Sequence, residues 1–147
     1  MTIDQISVFV ENKPGRLSEV TGYLADANIN IHALSIADTT DFGILRLIVS
    51  DVEKARDVLK ERGLAVKTTD VVGVSLKHRP GGLHEVLCEM DKARIAIEYM
   101  YAFTSRVETC DAIVVLCLAD QEASLEKLKE YDIPFVGGDV VQRMNQA

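Results

Sequence analysis

Apolar and polar residues alternate near the start of the chain. Ile6, Val8 and Val10 interleave with Ser7, Phe9 and Glu11, the period of a strand with one buried face. After Pro14-Gly15 the spacing changes, and Leu17, Val20, Leu24 and Ala27 recur at helical intervals on one face. Two apolar, β-branched runs follow, Ile29 to Ala37 and Ile44 to Val49, and the polar link Asp38 to Asp41 between them suits a hairpin. Val52, Ala55, Val58 and Leu59 then share a helical face over 51–62, with Asp51 as the N-cap and Gly63 as the C-terminal stop. A strand over 65–72 completes this set. The same order runs on through a strand at 72–77, a helix at 83–93, strands at 95–104 and 112–118, a helix at 121–131 and a strand at 135–141.

Strand–helix–strand–strand–helix–strand is the ferredoxin-like split βαβ unit, an antiparallel sheet with both helices on one face. The expected fold class is therefore α+β, with two such βαββαβ units side by side. The repeat is also visible residue by residue. Asn12 to Val20 return as His78 to Val86 at an offset of 66, and nine identities fall within the 24 positions from Val8 to Ile31. At an offset of 69, Leu59-Lys60-Glu61 match Leu128-Lys129-Glu130, and Asp70-Val71-Val72 match Asp139-Val140-Val141. The change of offset places a three-residue insertion between Ala102 and Asp111. Domains are expected at 1–72 and 73–147. No Gly/Ser/Pro-rich linker separates them, so the copies are expected to pack rigidly, their sheets merged about a pseudo-twofold axis.

The formal charge of −7 argues against nucleic acid or an anionic membrane as the main partner. Nothing approaches the roughly 18–20 apolar residues that span a bilayer, and Met1-Thr2-Ile3-Asp4 does not read as a signal peptide. Cys88, Cys110 and Cys117 are odd in number and share no metal-type spacing, which suits reduced thiols. A soluble cytoplasmic protein is expected.

The fold alone decides little about function. A metal-carrying version needs a Cys-x-x-Cys at the first turn, and neither copy has one. An RNA-reading version needs exposed aromatics where Val8 and Val10 stand. An acyl-phosphate hydrolase would rest on Arg16 and Asn12 alone. No nucleophile with an acid–base partner is placed, so no enzyme activity is expected, nor any cofactor or metal. His78 and His84 lie six apart across a turn without a third ligand, and read as exposed polar residues. Asp38 and Asp41 read as hairpin polarity rather than paired acids. Cys88, among Leu83, Val86, Leu87 and Met90, reads as core.

The duplicated Pro-Gly turn carries the most chemistry. A helix start presents backbone N–H groups without intrahelical partners at the positive end of its dipole. Side-chain cappers are missing at Gly15 and Arg16, and at Gly81 and Gly82, so these donors are open to water or to a carboxylate. Asn12 can accept from an ammonium through its side-chain carbonyl. Together they would suit a free α-amino acid. A purely structural turn, with Gly15 as a weak cap, explains the same residues.

Glu11-Asn12-Lys13-Pro14-Gly15-Arg16-Leu17, the helix after it and Ala27-Asn28-Ile29-Asn30-Ile31 closely resemble the ACT domain, a small-molecule-binding regulatory module. Arg79-Pro80-Gly81-Gly82-Leu83 with Ala93-Arg94-Ile95-Ala96-Ile97 resembles a second copy. Ser35 to Leu47 and Ile97 to Phe103 resemble free-standing bacterial tandem ACT proteins, and the resemblance covers nearly the whole chain. It implies an amino acid held between the first strand-to-helix loop of one domain and the second strand of its neighbour. One site would use Asn12, Pro14, Gly15, Arg16 and Leu17, facing Glu98, Tyr99, Met100 and Tyr101. The other would use Arg79, Pro80, Gly81, Gly82 and Leu83, facing His32 and Ser35. There His78 replaces Asn12, and a protonated imidazole would repel an ammonium. The expected function is amino-acid-binding regulation, with docking onto a biosynthetic enzyme as the alternative. A homo-oligomer, a dimer first, would cover the sheet edges.

Overall fold

The computed structural model describes residues 2–38, 41–105, 107 and 110–146. Thr39 and Thr40 of the expected hairpin link, the Asp38 side chain and much of the expected insertion after Ala102 lie outside the described residues. The elements are β1 (Thr2–Glu11), α1 (Arg16–Asp26), β2 (Ile31–Asp38), β3 (Phe42–Val49), α2 (Val52–Glu61), β4 (Ala65–Leu76), α3 (Gly82–Lys92), β5 (Ile97–Thr104), β6 (Ala112–Leu118), α4 (Gln121–Leu128), β7 (Phe135–Val136) and α5 (Gly138–Gln146). They form two compact units, 4–70 and 1–3 together with 71–147.

In the unit of residues 4–70 the strand order is β2-β3-β1-β4, all neighbours in the ferredoxin-like order. Antiparallel pairing sets Val8 opposite Leu45 and Ile36 opposite Leu45, so one face gathers the alternate apolar residues of three strands. Ile6, Val8, Val10, Leu45, Leu47 and Val49 meet Val20 and Leu24 of α1 and Ala55 and Leu59 of α2 in one core. The Asp51 carboxylate caps α2 by accepting from Lys54 N–H at 3.0 Å.

The other unit orders its strands β5-β6-β4-β7. Val72, Val74, Val114 and Leu116 bury against Val86 and Met90 of α3 and Leu128 of α4. The N-terminal segment contributes Ile3, which is buried, and Gly73 gives it room: a Cβ there would lie 2.5 Å from Ile3 Cδ1.

Two expectations need correction. Strands starting at Ile29 and Ile95 begin instead at Ile31 and Ile97. Asn28 and Arg94 adopt left-handed φ of 59° and 57°, and the Ile29 and Ile95 N–H groups reach back to the carbonyls of Leu24 and Met90. Both isoleucines are thus the apolar residue that closes a helix C-terminal Schellman turn, not the first strand residue. The strand expected over 135–141 shortens to two residues, and α5 takes the rest. Gly137-Gly138 breaks the strand, Val140 N–H turns back to the Gly137 carbonyl, and Asp139 pairs with Arg143 one helical turn on. The tripeptide Asp-Val-Val is therefore extended at 70–72 and helical at 139–141.

Candidate functional site

The first Pro-Gly turn leaves β1 at Glu11. Asn12 N–H donates to the Asp41 carbonyl at 3.1 Å and Lys13 N–H to the Glu11 carbonyl at 2.9 Å. Gly15, at φ 88°, is the N-cap of α1, with no side-chain cap bond. The open space where its Cβ would stand leaves the backbone approachable. Arg16 N–H donates to the Lys13 carbonyl at 3.3 Å and Glu19 N–H to the Gly15 carbonyl at 3.0 Å. Among the described residues these bonds leave the Gly15, Leu17 and Ser18 donors open; of the two that the sequence reading expects to be open, Arg16 is occupied.

Charge at this turn is already paired. Arg16 holds Glu19 at 3.0 Å and Glu11 at 3.7 Å, while Lys13 holds Glu11 at 3.0 Å. Hydrogen bonding and charge from Lys13, then Arg16, hold the Glu11 carboxyl below its ordinary range; Glu19 and then Glu11 raise Arg16. Asn12, Pro14 and Leu17 are exposed beside this network.

The second turn repeats the backbone and changes the side chains. Gly81 has φ 86°, Gly82 N–H donates to the Arg79 carbonyl, and Glu85 N–H to the Gly81 carbonyl, which leaves the Gly81, Leu83 and His84 donors. Gly82 stands where the first copy has Arg16, and a Cβ there would collide with the Lys77 carbonyl oxygen. Leu83 packs on the core, whereas Leu17 is exposed. Arg79 is held by Glu85 at 2.7 Å; His78 and Pro80 are exposed. Cys88, expected in the core, lies outside it and half-buried, with Sγ 3.4 Å from His84 Nε2. It follows Val86 by two residues, about 200° round the helix from the core face.

On the strands, the pairing register jumps at Glu98 in β5 and at His32 in β2, the equivalent residue at an offset of 66. The Glu98 carboxylate accepts from Cys117 Sγ at 3.6 Å. Tyr99 and Tyr101 sit opposite Cys117 and Val115, but Met100 sits opposite Leu116 on the other face. The four expected residues of this strand therefore do not share a face. Ser35 pairs with Arg46 on the face opposite Leu34 and Ile36.

Each unit also contains a cavity that reading the residues one by one misses. In the first, about 390 Å³ opens between α1, the end of β1 and the residues after α2, with Arg16, Tyr23, Phe9, Phe42 and Arg62 among its walls. In the second, about 320 Å³ opens at the same place, walled by Lys77, Glu85, Glu89 and Asp132 among others. Every wall residue of the second cavity maps onto one of the first by the offsets 66 or 69. Those offsets were the only signal in the sequence that could have found it.

A family model described as "ACT domain pair" matches residues 1–144. The chain belongs to the ACT domain pair family. This ACT pair is similar to a protein of known crystal structure from Bacteroides thetaiotaomicron, at 43% identity over 97% of each chain with a TM-score of 0.84. It shares its fold with the ligand-free regulatory subunit of aspartate kinase from Thermus thermophilus, at 18% identity over 86% of this chain and 90% of that one, TM-score 0.58. No match was found among the curated proteins. An ACT pair is a regulatory module of the ligand-binding kind. Among the described residues no helix of this one is long and apolar enough to cross a membrane, and no group of three or more His, Cys, Asp or Glu is placed to hold a metal ion.

Proposed function

We propose that this ACT pair is a regulatory protein that binds a free α-amino acid at the turn between β1 and α1. The observation that carries this reading is the start of α1: a left-handed Gly15, no side-chain cap, and the Leu17 and Ser18 N–H groups left open at the positive end of the helix. The ligand carboxylate accepts from these two donors. Its ammonium donates to the Asn12 side-chain carbonyl. Pro14 shapes the turn, and Arg16 is occupied by Glu19 and Glu11, so the backbone takes the anion. The turn over Arg79, Pro80, Gly81, Gly82 and Leu83 is the weaker binder, because His78 replaces Asn12 and Leu83 is packed away. Calorimetric titration with the common amino acids tests the reading. At least one is expected to bind, and Asn12→Ala to weaken it about tenfold, the worth of a hydrogen bond to a charged group. No heat from any of them refutes it.

A second copy of this chain is the partner we propose. Leu34 and Ile36 on β2 and Met100 on β5 are large apolar side chains exposed on the last strand of each sheet order. Light scattering should report a dimer, reduced to monomer by Ile36→Lys; a monomer throughout refutes the proposal. Docking onto a biosynthetic enzyme would use the same strands and would appear as a stoichiometric partner in a pull-down.

A further inference from the structure

The two equivalent cavities have diverged in charge. In the first, the ion pairs of Lys13, Arg16, Glu11 and Glu19 cancel one another at the rim. Arg62 stands apart. Its guanidinium lies over the Tyr23 ring, 4.7 Å from the centroid, and no carboxylate pairs with it among the described residues. The walls balance Glu11 and Glu19 against Arg16 and Arg62, and with Lys13 outside them also held by Glu11, Arg62 is the wall cation that no carboxylate holds among the described residues. Phe9 and Phe42 also border the opening, on the strand face opposite Val10, and are about half exposed, 47% and 56%.

We propose that this cavity binds a small planar aromatic carboxylate, with its ring beside Tyr23, Val10 and Leu64 and its carboxylate held by Arg62. A guanidinium stacked on a ring keeps its N–H donors in its own plane, free for a carboxylate's two oxygens. Tyr23, Val10, Val20 and Leu64 supply the apolar surface that a flat ligand needs. A volume of about 390 Å³ accommodates a one-ring or two-ring acid. The site is separate from the amino-acid turn: Arg16, Glu19, Val20 and Tyr23 face the cavity, on the side of α1 away from Leu17 and Ser18.

The second unit provides an internal control. At the equivalent positions Tyr23 becomes Glu89, Arg62 becomes Tyr131, Phe9 becomes Ser75 and Phe42 becomes Asp111. There Glu85 and Glu89 are already paired with Arg79 and Lys92, Asp132 joins them in the walls, and Tyr131 in place of Arg62 leaves no guanidinium for a carboxylate. One site per chain follows.

The full chain would be titrated with benzoate and with benzamide, the same ring without the charge, following backbone amide shifts and heat. Benzoate is expected to bind once per chain and to move the amides around Tyr23 and Arg62. Benzamide and the Arg62→Gln protein are each expected to show binding weaker by about tenfold. Arg62→Lys should fall between, since it keeps the charge and loses the fork. Asn12→Ala should leave benzoate binding intact, which distinguishes this site from the amino-acid turn. Equal affinity for benzoate and benzamide, undiminished binding in both Arg62 variants, shifts confined to other regions, or no response up to about 10 mM would each overturn the proposal.

Discussion

Gly73→Ala places a methyl group where the second unit has no space for one. The new Cβ would stand 2.5 Å from Ile3 Cδ1, 2.9 Å from Val136 Cγ2 and 2.8 Å from the Val136 carbonyl oxygen. The Ile3 methyl can rotate away, but the carbonyl is fixed, because Val136 pairs with Gly73 across β7 and β4. Overpacking of this kind costs about 1–3 kcal/mol, and the immobile carbonyl puts this case near the upper end. Alanine returns about 0.5–1 kcal/mol by restricting the unfolded chain, so the expected net loss is about 2 kcal/mol. Ile3→Val removes the Cδ1 atom and alone costs about 1 kcal/mol, since Ile3 is buried. Combined with Gly73→Ala it also relieves the clash, so the pair should be less destabilising than the sum by about 1 kcal/mol. Urea denaturation followed by circular dichroism measures all three. A Gly73→Ala protein as stable as the parent, or strict additivity with Ile3→Val, would refute the packing argument.

The same substitution should have opposite signs elsewhere. Gly22 lies inside α1 with nothing within 4 Å of its missing Cβ, so Gly22→Ala should stabilise by about 1 kcal/mol. Gly15→Ala meets equally open space but a φ of 88°, and should destabilise by about 1–2 kcal/mol; denaturation midpoints moving the same way in both would contradict this. Asp4 offers a pH test. Burial, then the hydrogen bond that its protonated form donates to Asp70 and the charge of Asp70, raise its carboxyl above 3.8. The stability that the protonated pair contributes is complete below that unfolded value and is lost as pH rises through the folded one. Asp4→Asn should therefore raise the melting temperature at pH 7 and lose that advantage below pH 3.8; a shift independent of pH would count against it.

The framework was legible because burial sets it. Ile6, Val8 and Val10 alternate, and Val20 and Leu24 repeat at helical spacing, since each must face the same core. Asp51 was readable as a cap because its chemistry is local. Where the reading failed, nonlocal or backbone effects decided. Ile29 has the composition of a strand residue but closes a turn set by left-handed Asn28. Asp139-Val140-Val141 copies a strand tripeptide yet becomes helical after two glycines. At the candidate site, the uncapped Gly15 was visible, but the loss of the Arg16 donor depended on where its N–H turned. The Tyr23–Arg62 stack joins residues 39 apart, and nothing local to either announces it.

Ile3 belongs with residues 71–147, although it precedes the unit that spans 4–70. During synthesis it leaves the ribosome several seconds before Gly73 does, at rates of about 5–20 residues per second. The apolar hook is thus made well before the strand that receives it. A fragment starting at Val71 would hence lack one of its own buried side chains, the one that Gly73 makes room for.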